Sequence, residues 1–237
     1  MIKINTSTDT AITYLQKNPI LHVDMLECIR RGSAQILATS TSGILIDQDG
    51  VHMLSAESEA EARRLLSELE ESELMVTHQE YGIEFARKKY GLTNITPVCN
   101  AVYPRSTPLP QNEIPAEIRP LDETFFPFVK AYYTTIPDDK YILDRLKSGT
   151  LFGAFVNGEP AGFIGMHPEG SMGMLEVLPK FRRRGIAQML EIFYINRLLH
   201  AGYIPYAQIQ PKNKASIALH RKLGFSFSDF SVFWLVK

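Results

Sequence analysis

A proline series sets the first constraint on how this chain can fold. Pro97, Pro104, Pro108, Pro110, Pro115 and Pro120 fall within one stretch, with Arg105-Ser106-Thr107 and Gln111-Asn112-Glu113 between them. Each proline removes a backbone donor and disfavours helix at the residue before it, so the stretch reads as an extended linker. It divides a chain of 237 residues, a length that suits one large or two small domains. The expected layout is a domain over 1–103, a Pro-rich linker over 104–117 and a second domain over 118–237. Charge divides the same way. Residues 1–110 hold 10 basic and 14 acidic residues, net −4, and residues 111–237 hold 15 and 12, net +3, although the whole chain carries only −1. The cationic half suits an anionic ligand.

Composition narrows the class. With 45% apolar and 22% charged residues, the chain is neither disordered nor a coiled-coil array. Its near-zero charge argues against a globally basic nucleic-acid binder. No apolar run approaches the roughly 20 residues of a membrane helix, and Met1-Ile2-Lys3-Ile4-Asn5 lacks the apolar core of a signal peptide. Cys28 and Cys99 form no disulfide framework, and the six histidines show no ligand spacing. A cytoplasmic, reducing setting without a bound metal is expected.

Periodicity and turn signals give both halves the same element order, ααβββαβαβ, which predicts a mixed α/β protein. In the first half, helices are expected near 6–17 and 20–31, strands at 34–39, 43–47 and 51–54, a helix over 55–70, a strand at 74–77, a helix over 80–90 and a strand at 98–103. Ser58 and Glu61 are spaced as a capping box. The second half opens on a short strand at 118–121 and two helices, 122–135 and 138–147. Strands at 151–156 and 161–166 flank the hairpin signal Asn157-Gly158-Glu159-Pro160. A strand over 172–178, a helix over 184–201, a strand at 206–210, a helix over 213–223 closed by Gly224, and one or two strands over 226–236 complete it.

One segment carries chemistry. In Val177-Leu178-Pro179-Lys180-Phe181-Arg182-Arg183-Arg184-Gly185-Ile186-Ala187 a strand ends at proline, a basic turn follows, and a helix opens on glycine. Such a turn aims backbone N–H groups and the positive end of a helix dipole at one point. Gly185 permits close approach of an anion, and three arginines add positive charge. The pattern describes a pyrophosphate cradle, yet matches neither the Walker spacing nor G-x-G-x-x-G. A second segment, Asn213 to Phe225, opens on a good N-cap residue and places Ser216 and His220 one turn apart.

Together these segments resemble the GCN5-related N-acetyltransferases (GNAT). The family pattern V-x-P-x-x-R/Q-x-x-G-x-G/A is met at Val177, Pro179, Arg182, Gly185 and Ala187. The later N-x-x-S-x-x-L-Y-x-K-L-G-F is met at Asn213, Ser216, Leu219, Lys222, Leu223, Gly224 and Phe225. The resemblance covers about residues 115–237 and is closest to the FR47-like and glycine N-acyltransferase-like branch, which also pairs two such folds. It implies a GNAT fold in the second domain and a degenerate copy in the first, with acetyl-CoA or another acyl-CoA as co-substrate. Arg182, Arg183, Arg184, Gly185, Ile186, Ala187 and Gln188 would hold the pyrophosphate. Leu175 and Val177 would offer strand-edge hydrogen bonds to the pantetheine arm, with the strands at 172–178 and 206–210 splayed to make the slot. Asn213 and Ser216 would touch that arm or order their helix.

The departures from the family pattern matter for mechanism. His220 stands where the family usually has a tyrosine that protonates the departing thiolate; histidine titrates near neutrality and can serve, or it can simply pack. Tyr203 and Tyr206 are alternatives. Ser171 stands where some relatives carry a glutamate base, which leaves Glu169 and Glu176 as the nearby carboxylates. Glu176 points away from Leu175 and Val177 unless a bulge intervenes. With no cysteine in 111–237, direct attack by an amine in a ternary complex is favoured over an acyl-cysteine. Met166, Met172 and Met174 either shape a pocket or fill core. The first half has Glu57, Glu59 and Glu61 and no glycine at the matching turn, so it is expected to bind no CoA. The expected acceptor is a small-molecule or amino-acid amine, acted on by a monomer or homodimer. A protein or peptide amine, or a catalytically lapsed CoA sensor, are the alternatives.

Overall fold

The structure, a computed structural model, describes residues 8–111 and 114–237. The start of the expected first helix, the N-terminal pentapeptide, and Asn112-Glu113 of the expected linker lie outside the described residues. The chain groups into two compact units. One takes the chain up to Val102 together with Gln208–Lys237, and the other takes Tyr103–Ala207.

In chain order the first unit runs α1 (Thr8–Leu15), α2 (Val23–Arg30), β1 (Gln35–Ser40), β2 (Gly43–Gln48), β3 (Val51–Ala56), α3 (Glu59–Ser67), β4 (Leu74–Thr77), α4 (Tyr81–Tyr90) and β5 (Asn94–Val102). The second unit runs β6 (Glu117–Pro120), a 3-10 turn, α5 (Phe126–Tyr132), α6 (Asp139–Lys147), β7 (Phe152–Val156), β8 (Glu159–Met166), β9 (Met172–Val177), a second 3-10 turn and α7 (Ile186–His200). The division falls inside β10 (Tyr206–Ile209). The chain then returns to the first unit with α8 (Lys214–Leu223), β11 (Ser226–Phe227) and β12 (Val232–Val236). The element order matches expectation, with boundaries shifted by a few residues. The largest shifts, of four residues, are at the starts of α3, β5 and α5, and α2 starts at Val23 rather than directly behind Pro19.

The first unit's sheet runs β1-β2-β3-β4-β12-β5, with β11 on β5. Here the compact units differ from the expected 118–237 domain. β12 lies between β4 and β5 and is antiparallel to both, Trp234 facing Val76 on one side and Thr96 on the other. Its run Val-Phe-Trp-Leu-Val suits a strand with a partner on each edge and both faces covered. Pairing partners this distant in sequence leave no local signal. Alternation along β2 sorts its side chains. Ile44 and Ile46 join α1 and α2 in one apolar cluster, while Leu45 joins α3 and α4 in another, so helices cover both faces of this sheet. Cys28 is buried in the first cluster.

The second unit's sheet runs β10-β9-β8-β7-β6, parallel only between β9 and β10. The hairpin β7–β8 turns on Asn157 and Gly158, both at positive φ, as the sequence predicts. Val129 of α5, Tyr133 just after it, and Ile142 and Leu146 of α6 pack on Phe155, Phe163 and Met174.

The proline series is less of a linker than its composition suggests. Pro97 belongs to β5, opposite Phe233, and Pro120 belongs to β6, opposite Phe152. Between them the chain is strapped along α7. The Tyr103 amide donates to Pro205 O at 2.9 Å. The Asn196 amide group makes two bonds of 2.8 Å to the Leu109 backbone. Ile114 Cδ1 lies 2.7 Å from where a Cβ on Gly185 would stand.

Candidate acyl-CoA site

The site begins with an irregular strand. β9 pairs with β8 at Met166↔Met172 and Gly165↔Gly173, then at Phe163↔Glu176 and Gly162↔Val177, so β9 carries one more residue than its partner across the interval. Met174 takes up the extra residue at φ 51°. This is a β-bulge, and it re-aims the side chains beyond it. It is the irregularity on which the direction of Glu176 depends. Along its other edge β9 meets β10 at the single register pair Ala207↔Met172. Past that pair, Gly173–Val177 presents an open strand edge of the kind an extended ligand can join.

The strand leads into the basic turn. Leu178 is extended, Pro179–Phe181 make the 3-10 turn, and Arg182 is extended again. Arg183 at φ 62° and Gly185 at φ 83° are both left-handed. Consecutive left-handed and ordinary conformations of this kind form a concavity of backbone N–H groups. No side chain caps α7 at Gly185. Its first backbone bond runs from Met189 N to Gly185 O at 3.0 Å, which leaves the amides of Ile186 and Ala187 outside the helical ladder. Residues 182–185 are all exposed. Arg182 folds back, Nε donating to Val177 O at 2.9 Å, and the Arg184 guanidinium lies 5.6 Å from the Phe181 ring. An uncapped helix start, a left-handed glycine and three cations fit a pyrophosphate.

Beside the open edge sits a cluster of titratable groups. Glu176 is half-buried, and burial raises its pKa against the opposing pull of Arg182. Glu169, in the turn after β8, is buried; its Oε1 accepts from Ser171 Oγ at 2.5 Å, and its backbone O accepts from the Tyr206 hydroxyl at 2.7 Å. Ser171 therefore holds the carboxylate rather than replacing it. Tyr133 is pushed up by burial and then by Glu169 and Glu176, which makes it the common neighbour of both carboxylates. Tyr141 shares a hydrogen bond with His167 Nδ1, and the His167 ring covers Gly173, whose Cβ would collide with Nε2. Burial lowers His167, Arg145 adds to that, and Glu169 opposes it. No sequence motif points to Tyr133, Tyr141 or His167; three separate elements bring them together.

The second expected segment lies on α8, in the first compact unit. Asn213 caps it as expected, its Oδ1 accepting from Ser216 N at 3.1 Å. His220 is buried, donates from Nδ1 to Ser216 O at 2.9 Å and packs edge-on against Phe225. That bond puts the lone pair of the neutral ring on Nε2, so proton delivery from His220 requires the imidazolium. Met172 and Met174 are buried, Met174 within the core cluster of the second unit. Among the described residues no group of three or more His, Cys, Asp or Glu side chains is arranged to hold a metal, and no helix is long and apolar enough to cross a membrane.

The comparisons agree with this geometry. Residues 116–225 match the Acetyltransferase (GNAT) family. Family members are acetyltransferases, and their fold binds acetyl-CoA as co-substrate. Among solved structures, a Drosophila protein aligns over 97% of this chain and 95% of its own, at 17% identity and a TM-score of 0.69. A putative GNAT-family acetyltransferase from Novosphingobium aromaticivorans aligns over 93% and 96%, at 19% identity and a TM-score of 0.54. A GCN5-related N-acetyltransferase-like protein from Streptococcus suis aligns over 96% and 100%, at 13% identity and a TM-score of 0.54. At these identities the likeness is one of fold. A comparison with curated proteins gives no match.

Proposed function

We propose that this chain transfers an acetyl group from acetyl-CoA to the primary amine of a small molecule or amino acid, by direct attack in a ternary complex. The observation that carries the reading is the open edge of β9 beyond its bulge, running straight into the uncapped basic turn. The edge suits the amides of the pantetheine arm, and the turn suits its pyrophosphate. In the transfer, the amine nitrogen forms a bond to the thioester carbonyl carbon and the C–S bond breaks. The amine gives up its proton to a carboxylate, and the departing thiolate takes one. Glu176, half-buried with its pKa raised, is the proposed acceptor, with Glu169 behind it through Tyr133. His220 is the proposed donor to the thiolate, as imidazolium. Thiol release from acetyl-CoA across a panel of amines tests the reading. Amine-dependent release, reduced in Glu176→Gln, supports it; acylated protein accumulating without an acceptor contradicts direct attack.

The finer placement follows the same line. We place the chain in the FR47-like and glycine N-acyltransferase-like branch, with a segment over residues 1–103 that binds no CoA, working in the cytoplasm. A lapsed CoA-binding module is the second reading. The Nδ1 bond of His220 to its own helix favours it, and it predicts CoA binding without turnover on any amine.

A further inference from the structure

We propose that the first unit carries its own binding site for a primary amine with an aromatic or apolar body, in the cavity bounded by α1, the β3–α3 turn, the end of β4 and the segment before β12. The cavity measures about 720 Å³, within the range of small-ligand sites. Its lining combines the rings of Tyr14, Tyr81 and Phe233 with Phe230, which is 65% exposed and among the few large apolar side chains standing in solvent. Glu57, Glu80 and Asp229 line the same cavity against the single ammonium of Lys17. Three carboxylates to one cation repel an anion and favour an amine.

The protein itself displays how an ammonium sits there. Lys17 Nζ donates to Glu57 Oε1 at 2.6 Å and to Thr41 O at 2.7 Å, and lies 5.2 Å from the centre of the Tyr14 ring. Carboxylate, carbonyl and aromatic face are together the recognition set for an ammonium. Both side chains of the pair are about half exposed, 50% and 51%, so the ion pair is weak and a ligand can displace Lys17 from it. A ligand amine gains what Lys17 cannot supply, an apolar body to cover the rings. The floor opposes this little. His22 is held neutral by burial, its pKa lowered to about 4. Its Nδ1–H donates to Leu15 O at 2.9 Å, so Nε2 accepts from the Ser55 hydroxyl at 2.9 Å. The charge of His78 is matched by Asp24 at 2.9 Å.

The test is a titration of the full chain with 2-phenylethylamine, without acyl-CoA, so that its outcome is separate from acyl transfer. Trp234, the one tryptophan, reports on the floor. It donates to Gln208 at 2.8 Å, Gln208 donates to Asp24 at 3.1 Å, and Asp24 pairs with His78. Calorimetry gives a second readout. Saturable binding of the amine but not of phenylacetate is expected, tightened roughly tenfold by Lys17→Ala and weakened roughly tenfold by Glu57→Gln. Absence of binding to both wild type and Lys17→Ala, equal binding of phenylacetate, or an unaffected Glu57→Gln would overturn it. If a variant fails to fold, the amine–carboxylate comparison on wild type decides alone.

Discussion

The chain builds the same strand–turn–helix corner twice and finishes the two differently. In the second unit, β9 leaves β10 after one register pair, bulges at Met174, and reaches α7 through a long basic turn with no side-chain cap. In the first unit, β3 and β4 stay paired from Val51↔Leu74 to Leu54↔Thr77, and the His78 amide adds a bond to Leu54 O at 3.0 Å. Side chains then saturate the strand end. Gln79 Oε1 accepts from Ala56 N at 2.9 Å, and the Tyr81 hydroxyl donates to Ala56 O. Ser58 caps α3 by accepting from Glu61 N at 3.2 Å, with Glu57 alongside. An anion-binding corner needs backbone groups left over. In the first unit side chains occupy Ala56 N, Ala56 O and Glu61 N at this corner, and Glu57, Glu59 and Glu61 surround it with negative charge, which disfavours an anion.

The contrast can be broken at several points. The largest expected effect is Glu176→Gln, which should lower kcat by roughly two to four powers of ten and leave CoA affinity unchanged. Because burial holds Glu176 above the ordinary carboxylate range, activity should fall with decreasing pH before an ordinary carboxylate would titrate. Arg182 opposes that rise, so Arg182→Met should move this acidic limb to higher pH, read from a kcat profile. Next in size is the first unit's buried His22. Unfolded, it protonates near pH 6.5, and folded only near 4, so acidification through that window favours the unfolded chain by up to about 3 kcal/mol. Denaturant unfolding at several pH values should show this slope, and His22→Gln should remove it. His78 titrates with the opposite sign; Asp24 outweighs its burial and raises it, so its contribution is present below about pH 6.5 and is lost as pH rises through its raised folded value. The smallest effect is Ser58→Ala, which should cost about 1 kcal/mol of stability by chemical denaturation and leave acetyl transfer untouched.

Much of this contrast was legible in local sequence. The cradle follows from Pro179, the arginines and Gly185 in a fixed spacing, and the capped helix from Ser58 and Glu61. Both are short-range devices in which each residue acts on backbone within one turn. The features that complete the site are not local. Met174 carries no turn signal, because the bulge arises from a register mismatch with β8. The position of β12 depends on strands far away in sequence. The proline series was legible as extended chain but not as a strap, since that requires Asn196 and Gly185 on a helix it meets only in space. Tyr133, Tyr141 and His167 escaped for the same reason.

The most direct measurement is calorimetric titration of the full chain with CoA, repeated with Gly185→Val. Valine at φ 83° is strained, and its Cβ would lie 2.7 Å from Ile114 Cδ1. One site per chain is expected in the wild type, with a loss of affinity of tenfold or more in the variant. Two sites per chain, or one site indifferent to Gly185→Val, would contradict it.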